Sequence, residues 1–328
     1  MAVISVLGSG SWGVTLANVL AEKKHDVCVW TIEDAVQEEI NTQHKNTKYL
    51  GDILLEPTLK ATTDISFALN NAEYIMWAIP TQAIRSVLNQ YNSLLDKNLV
   101  HISVSKGLEK STRLRVSEVF AEHGITNYVY LAGPSHAEEV AKKMVTTLSS
   151  ISVDSDLAES VQNLFNTDYL RVYTYDDLAG AELAGAFKNV VAIAAGICDG
   201  FGLGDNAKAA LMTRSLVEFG RLLESFEAKT ETISSLTGIG DLIATCTSLH
   251  SRNRHVGNEL GKGKSLQEIL NNMVMVAEGV ATCEAFYELS KHKQIEMPIV
   301  TATYEIMFNN ASVSETVQSL MTRELKSE

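Results

Sequence analysis

The chain has 328 residues, of which 45% are hydrophobic, 20% charged and 7% aromatic. This composition is typical of a globular protein and excludes a disordered or collagen-like chain, and the length predicts two domains. The 27 Lys and Arg residues against 40 Asp and Glu residues leave a net charge of −13, which opposes binding to nucleic acid or to an anionic membrane surface. We therefore expect no nucleic-acid partner.

Short β-branched or apolar runs alternate with helical patterns over the first half of the chain. This alternation is typical of successive βαβ units and predicts a mainly parallel sheet with helices on its faces. The predicted strands cover residues 3–7, 27–30, 74–79, 99–104, 128–131, 147–153 and 170–173. The predicted helices cover residues 12–23, 82–95, 113–123, 136–143 and 157–165.

A glycine-rich turn joins the first predicted strand to the first helix. Gly8, Gly10 and Gly13 form the pattern GxGxxG at this junction. The first glycine permits a tight turn, the second lets the backbone approach a pyrophosphate, and the third lets the helix pack on the strand, while the helix N-terminus favours anions. The pattern in this context predicts a Rossmann-like doubly wound α/β domain that binds a dinucleotide.

Two acids, Glu33 and Asp34, follow the second predicted strand. An acid about 20 residues beyond the glycines commonly binds the ribose hydroxyls, although a solvated acidic loop explains Glu33 equally well. The preceding residue, Ile32, is not basic, whereas a 2′-phosphate would need a cation there. We expect NAD or NADP as the cofactor, with NAD favoured.

Beyond residue 175 the strand patterns end, and Ala, Leu, Glu and Met recur at helical spacing. We predict an all-helical C-terminal domain, entered through a helix that begins near Asp176 and Asp177, because Asp is a good capping residue. The predicted domains are residues 1–176 for dinucleotide binding and residues 177–328 for substrate binding and catalysis. Because we find no uninterrupted apolar run of about 18 residues, we expect no membrane insertion.

The four cysteines form no CxxC pair and no Cys/His cluster. A disulfide framework and a metal site are therefore both unexpected. Reduced thiols, together with an N-terminus that enters the first strand without a leader peptide, predict a cytoplasmic protein.

The helical pattern over residues 184–198 is apolar on all sides except at Lys188 and Asn189. A buried ammonium is costly unless it is paired, and desolvation lowers the pKa of a lysine toward the range of a general base. We expect Asp241 to pair with Lys188, and Asn189 can orient a polar group. The alternative is that Lys188 reaches the surface along its own methylene groups.

Residues 251–255 form a polar, basic turn in an otherwise acidic protein. The arginines Arg252 and Arg254 offer planar donor forks for a compact anion, and Ser251 and Asn253 add neutral donors. Read in isolation, the same run is explained at least as well by a solvated loop.

Two further loops follow predicted strands at their carboxyl ends, where ligands bind in open α/β sheets. Lys106 places a point charge in the first loop, and Ser135 opens a helix in the second. Near the C-terminus, Glu278 lies in a turn where its carboxylate can meet the cofactor. By pattern alone, an ordinary connection between helices is the better interpretation of that turn.

Seven segments together closely resemble the motifs of bacterial NAD(P)-dependent glycerol-3-phosphate dehydrogenases. They cover residues 8–13, 106–108, 133–139, 188–190, 200–206, 238–247 and 251–254, in order and at the spacing of that family. The resemblance implies interconversion of sn-glycerol 3-phosphate and dihydroxyacetone phosphate by hydride transfer at C2, with NAD or NADP as the partner. It also implies a cytoplasmic homodimer that supplies glycerol 3-phosphate for glycerophospholipid synthesis.

The resemblance assigns roles to individual residues. The family's proton acceptor falls on Lys188, which Asp241 orients, and Asn189 and Thr245 fall close to the reacting carbons. The implied substrate-binding residues are Lys106, Gly133, Ser135, Lys188, Asp241, Ser251, Arg252 and Asn253. The cofactor-binding residues are Gly8, Gly10, Ser11, Trp12, Gly13, Lys106, Ala137, Arg252, Val276 and Glu278. One departure is Ile32, because members that prefer NADP tend to have a basic residue there.

Two other functions remain open from the sequence. A dehydrogenase of the 3-hydroxyisobutyrate or 6-phosphogluconate type also pairs a dinucleotide domain with a helical domain and uses a lysine. Activity on a 3-hydroxy acid, with none on dihydroxyacetone phosphate, would favour that alternative. The second is a non-catalytic sensor of NADH, which would have no need for a buried base at Lys188.

Overall fold

The computed structural model describes residues 1–325, and the chain divides into two compact units. The first unit contains residues 1–106 and 114–182. The second contains residues 107–113 and the chain from Leu183 onward. Residues 326–328, which the sequence assigns to the helical domain, lie outside the described residues.

The first unit is built on one eight-stranded sheet. Its strands are β1 Val3–Leu7, β2 Asp26–Trp30, β3 Lys60–Thr62, β4 Tyr74–Trp77, β5 Val100–Ser103, β6 Tyr128–Ala132, β7 Thr146–Ile151 and β8 Leu170–Tyr175. Their order across the sheet is 3-2-1-4-5-6-7-8, and all neighbours are parallel except β6 and β7. The first six strands therefore have the order of the doubly wound dinucleotide-binding sheet, which confirms the predicted fold class.

The helices of the first unit connect these strands. They are α1 Ser11–Glu22, α2 Asp34–Gln43, α3 Thr47–Leu50, α4 Ile65–Leu69, α5 Thr81–Tyr91, α6 Val116–Glu122, α7 Ala137–Val140 and α8 Ser155–Phe165. The predicted list lacks β3 and the helices α2, α3 and α4. The central strands are apolar because both faces of the sheet are covered, and Val6, Val29 and Met76 are fully buried there.

In the second unit the described residues form helices, as predicted. One long helix, α9, covers Leu178–Phe201 and enters this unit from the first, and Asp177 caps it by accepting a hydrogen bond from the Gly180 N–H. The remaining helices are α10 Asp205–Ser225, α11 Asp241–Thr247, α12 Arg252–Gly261, α13 Leu266–Asn271, α14 Glu278–Lys293, α15 Pro298–Phe308 and α16 Val313–Met321. A 3-10 turn at Thr230–Ser234 and a π turn at Leu236–Gly240 precede α11.

The core of the second unit surrounds α9. Phe187 on this helix stacks on Phe219 of α10 and meets Phe286 of α14 edge-on, with ring centroids 5.5 and 5.9 Å apart. By length and composition α9 is also long and apolar enough to cross a membrane, but its most apolar stretch is wholly buried inside the protein. The side chains that α9 carries are therefore fixed by close packing.

Candidate functional site

The glycine loop has the geometry that its three glycines predict. Gly8 has a φ of +118°, and a Cβ there would lie 2.5 Å from the Ala78 carbonyl oxygen. A Cβ on Gly13 would lie 2.3 Å from the Gly8 carbonyl oxygen, so the start of α1 packs directly on the loop. A Cβ on Gly10 would meet nothing within 4 Å, which leaves its backbone open to a ligand. The loop therefore fits a pyrophosphate at the N-terminus of α1, where Ser11 and Trp12 are the first two residues.

Glu33, the acid after β2, forms an ion pair with a lysine that was not predicted from the sequence. The carboxylate of Glu33 pairs with the ammonium of Lys48 and accepts a hydrogen bond from the Tyr49 hydroxyl at 2.6 Å. Hydrogen bonds from Lys48 and Tyr49 lower the pKa of Glu33, so its carboxylate is ionised at neutral pH. Asp34 and Ile32 beside it are exposed. The end of β2 thus carries a basic side chain after all, contributed by α3.

The loops after β5 and β6 meet at one carbonyl group. The Lys106 ammonium and the Ser135 hydroxyl both donate to the Gly133 carbonyl oxygen, at 3.2 and 3.0 Å. Gly133 has a φ of +148°, and a Cβ there would lie 2.9 Å from the Thr147 carbonyl oxygen. The prediction that Ser135 opens a helix is wrong, because α7 has only four residues and begins two positions later at Ala137, which is buried.

Lys188 lies at the centre of a buried polar cluster in the second unit. Its ammonium is 2.6 Å from the Asp241 Oδ1 and 2.6 Å from the Thr245 Oγ1, and Thr245 donates to the same carboxylate oxygen at 3.2 Å. Lys188 is only 6% exposed. The alternative that this lysine extends to the surface is therefore excluded.

Local backbone geometry brings Asp241 to the lysine. Asp241 is the first residue of α11, directly after the π turn, and a Cβ on Gly238 of that turn would lie 2.1 Å from the Thr232 carbonyl oxygen. Thr245 lies one helical turn beyond Asp241 and therefore faces the same way. Burial raises the pKa of the neighbouring Cys246 thiol to about 12, so this cysteine stays protonated. Lys188 and Asp241 are thus the ionisable pair that can exchange a proton here.

The polar segment after α11 is the N-terminus of a helix. The Ser251 hydroxyl caps α12 by accepting from the Arg254 N–H at 3.2 Å, and Arg252 is the first helical residue. Arg252 is exposed, and its guanidinium donates to the Val276 carbonyl oxygen at 2.8 Å. The interpretation as a solvated loop is therefore wrong, because this segment begins a helix. The N-terminus of that helix adds a partial positive charge beside the arginine.

Arg254, the second arginine of this segment, is paired inside the protein. Its guanidinium contacts the carboxylate of Asp199 on α9, with two donors 2.8 and 2.7 Å from one oxygen. The short sequence Ser251 to Arg254 gave no indication of this pairing, because Asp199 lies 55 residues upstream. Of the two arginines in the turn, Arg252 is the exposed one.

Two asparagines connect α9, α12 and α14. The Asn253 amide nitrogen donates to the Asn189 Oδ1 at 2.8 Å, and its oxygen accepts from the Gly279 N–H at 2.9 Å. Both asparagines are buried. Glu278, the first residue of α14, therefore begins a helix that is attached to the start of α12.

Both units of the chain are similar to known dehydrogenases. Family models described as the N-terminus and the C-terminus of NAD-dependent glycerol-3-phosphate dehydrogenase match residues 3–158 and 177–318. A glycerol-3-phosphate dehydrogenase (NAD(P)+) from Macrococcus caseolyticus is 50% identical over 274 residues, covering 82% of each chain. One from Lysinibacillus sphaericus is also 50% identical, covering 82% of this chain and 81% of its own.

A solved structure agrees with these relatives. The crystal structure of glycerol-3-phosphate dehydrogenase from Coxiella burnetii superposes with a TM-score of 0.92 at 36% identity, and the match covers 98% of both chains. Sequence and structure therefore agree over both units. Together with the glycine loop and the buried lysine, they establish that this chain belongs to the NAD-dependent glycerol-3-phosphate dehydrogenase family.

Proposed function

We propose that this chain interconverts sn-glycerol 3-phosphate and dihydroxyacetone phosphate, with Lys188 as the acid and base. The observation that carries the proposal is the pairing of a buried lysine with Asp241 and Thr245 on a closely packed helix. A buried ion pair of this kind is costly to maintain, so a role in the reaction explains its presence better than a role in stability.

Lys188 moves the proton at the C2 oxygen. An alcohol can lose a hydride only as its hydroxyl proton leaves, so a base within about 3 Å of that oxygen is required. Asp241 stabilises the ammonium that forms when Lys188 accepts the proton. In the reverse direction the ammonium polarises the ketone and returns the proton, while Thr245 holds the amine in place and Asn189 lies beside it in the sequence.

Arg252 binds the phosphate of the substrate in this proposal. It begins α12, so the guanidinium charge and the partial positive charge of the helix N-terminus act together on an anion. Ser251 and Asn253 flank it at the same helix start. The family resemblance assigns further substrate contacts to Lys106, Gly133 and Ser135.

The glycine loop is proposed to bind NAD or NADP, which supplies or accepts the hydride. Gly8, Gly10 and Gly13 shape the loop, and the open backbone at Gly10 admits a pyrophosphate. Ser11 and Trp12 begin the helix that follows. The resemblance adds Lys106, Ala137, Arg252, Val276 and Glu278 as cofactor-binding residues.

The proposal also covers the cellular role. We take residues 1–176 as the dinucleotide-binding domain and residues 177–328 as the helical substrate-binding and catalytic domain. We place the protein in the cytoplasm as a homodimer that supplies glycerol 3-phosphate for glycerophospholipid synthesis, as the resemblance implies.

The first prediction concerns Lys188→Ala. Without the proton acceptor and donor, we expect turnover of dihydroxyacetone phosphate to fall about 10²–10⁴-fold, while NADH affinity stays near that of the parent. Stopped assays for turnover and NADH fluorescence titrations for affinity measure the two quantities separately. Retention of turnover within tenfold of the parent would contradict the assignment.

A matched control for this variant is Lys110→Ala. Lys110 lies in the second unit and pairs with Glu284 at 2.9 Å, but it is largely exposed, so its loss should leave turnover unchanged. A panel of substrates completes the test. Oxidation of a 3-hydroxy acid with no reaction of dihydroxyacetone phosphate would replace the proposed substrate with a carboxylate.

A further inference from the structure

Three charged side chains form a cluster near the C-terminal end of α9. One carboxylate oxygen of Asp199 accepts from the Arg254 guanidinium at 2.7 and 2.8 Å, and the other accepts from the Lys208 ammonium of α10 at 2.8 Å. The three side chains are 18–19% exposed. Both oxygens of Asp199 are thus used, in a largely desolvated environment where such contacts are strong.

The helices that Asp199 and Arg254 join make contact through their backbones. A Cβ on Gly196 of α9 would lie 2.1 Å from the Arg254 carbonyl oxygen, and a Cβ on Gly257 of α12 would lie 1.9 Å from the Ile193 carbonyl oxygen. Helices normally set their relative position by fitting side-chain ridges into grooves. A contact made of glycines has few ridges, so polar links can add to what fixes the position of α12 along α9.

Two such links hold the first turn of α12. Asn253 reaches Asn189, and Arg254 reaches Asp199, which is ten residues further along α9. Ten residues of α-helix span about 15 Å, so the first turn of α12 is attached at two well-separated points. Arg252 precedes these two residues directly, and its position is therefore determined by them.

The same rigid helix carries the proton-transfer group. Lys188 is adjacent to Asn189 and lies three helical turns before Asp199. In a small substrate the few covalent bonds between the C2 oxygen and the phosphate limit the distance between these two groups. A misplacement of about 1 Å between the groups that bind these two ends can lower the rate about a hundredfold.

We infer that Asp199 and Arg254 are positioning residues that hold Arg252 at the distance from Lys188 which the phosphorylated substrate requires. The inference rests on the proposed function, because it takes Arg252 as the phosphate-binding group. It separates the two arginines of one short segment by role. Arg252 binds the anion, and Arg254 fixes the helix from which Arg252 extends.

The experiment compares Arg254→Lys and Asp199→Asn with Arg252→Ala. Each variant is assayed with dihydroxyacetone phosphate and with unphosphorylated dihydroxyacetone, and the ratio of the two kcat/KM values reports the use of the phosphate. We expect Arg254→Lys and Asp199→Asn to lower this ratio about tenfold or more, with NADH affinity unchanged. Asp199→Glu, which keeps the carboxylate, should retain most of the parent ratio, and circular dichroism confirms folding.

A matched control is Arg221→Lys. Arg221 of α10 donates to the Glu296 carbonyl oxygen at 2.9 Å in the same unit, and its replacement should leave the ratio unchanged. If Arg252→Ala lowers the ratio but Arg254→Lys and Asp199→Asn do not, the positioning role is overturned while the proposed function stands. Equal losses on both substrates in the latter two variants would also overturn it, since they indicate a purely structural role. An unchanged ratio in Arg252→Ala overturns the phosphate-binding role of that residue itself.

Discussion

Two lysines of this chain illustrate how the surroundings of a charge decide what it can do. Lys188 is buried and contacts Asp241 and Thr245, so its charge acts in a low-dielectric environment. Lys48 pairs with Glu33 at the surface, where water and salt screen the interaction. Lys188 is therefore suited to proton transfer at a fixed atom. Lys48 is suited to a small change in the affinity for a ligand at the end of β2.

Glu33→Gln is expected to change the choice between NADH and NADPH. The substitution removes the negative charge at the end of β2, where the ribose of a dinucleotide is expected, and releases the Lys48 ammonium, which can then attract a 2′-phosphate. Because charge interactions at exposed sites are worth at most about 1 kcal/mol, the NADPH affinity relative to NADH should rise about fivefold. Parallel fluorescence titrations with the two reduced cofactors measure this ratio.

Asp34→Asn is the control for that substitution. Asp34 is adjacent and exposed, so its loss removes the same charge without releasing Lys48. A similar rise in relative NADPH affinity in both variants would show that net charge alone, rather than Lys48, sets the preference.

For single residues, the sequence predicts a functional side chain when the neighbouring residues make its charge chemically unusual. Lys188 was predicted because an ammonium in an apolar helix needs a partner, and the partner Asp241 was correctly named. Lys48 and the Asp199–Arg254 pair lie outside the apolar run of residues 184–198, so nothing in their own neighbourhood called for a partner. Such contacts depend on how elements pack, and no local pattern encodes them.

At the scale of elements, α10 and α15 are joined by a buried carboxylate. Glu218 of α10 is 2% exposed and accepts from the Ile299 and Val300 N–H groups, at 2.6 and 3.4 Å, in the first turn of α15. Burial raises the pKa of Glu218 from 4.5 to about 7, although these two N–H groups act in the opposite direction. The folded protein therefore holds a proton on Glu218 more tightly than the unfolded chain does.

This shift predicts a pH dependence of stability that Glu218→Gln should remove. A raised carboxyl pKa gives stability that is fully present below about pH 4.5 and is lost as the pH rises through about 7. Relative to Glu218→Gln, the free energy of unfolding of the parent should fall by about 3 kcal/mol over that interval. Urea denaturation at pH 5 and pH 8 measures it, and parallel profiles for parent and variant would contradict the assigned pKa.

Two glycine substitutions in the second unit are expected to change stability in opposite directions. In Gly196→Ala the new Cβ would lie 2.1 Å from the Arg254 carbonyl oxygen, so the helices must move apart at a cost of about 1–3 kcal/mol or more. In Gly220→Ala, within α10, the nearest atom is the Ile233 Cδ1 at 3.6 Å, so better helix propensity should add about 0.5–1 kcal/mol. Thermal unfolding measures both, and equal shifts would refute the close approach.

Helices and strands were predictable from sequence where their hydrophobic pattern was long or where both faces of the element are buried. The pattern of β1 and the glycine loop was sufficient for the fold class, because both faces of that strand are covered. The strand β3 has three residues, Lys60 to Thr62, and carries no apolar run. The antiparallel direction of β7 was also missed, because a central strand in either direction shows the same apolar residues.

At the scale of the whole molecule, the chain keeps four free thiols in unreactive surroundings. Burial raises the pKa of Cys28 to about 11 and of Cys246 to about 12, and it also raises the pKa values of Cys198 and Cys283. At pH 7 a thiol of pKa 11 is ionised in only about one molecule in ten thousand, and the thiolate is the reactive form.

We therefore expect the native protein to resist thiol reagents. A disulfide reagent should modify fewer than one cysteine per chain within minutes in the native state, and all four after denaturation. Absorbance of the released chromophore counts the thiols in both states. Rapid modification of several thiols in the native protein would contradict the burial of these side chains.

The central position of α9 has a consequence during synthesis on the ribosome. Most of the side chains that pack around this helix come from later in the chain, from α10 to α15. At about 5–20 residues per second, the roughly hundred residues from the end of α9 to the end of α15 take on the order of 5–20 seconds to translate. For that time this apolar segment of the nascent polypeptide lacks most of its native contacts, so we expect it to bind chaperones and to start aggregation when translation stalls.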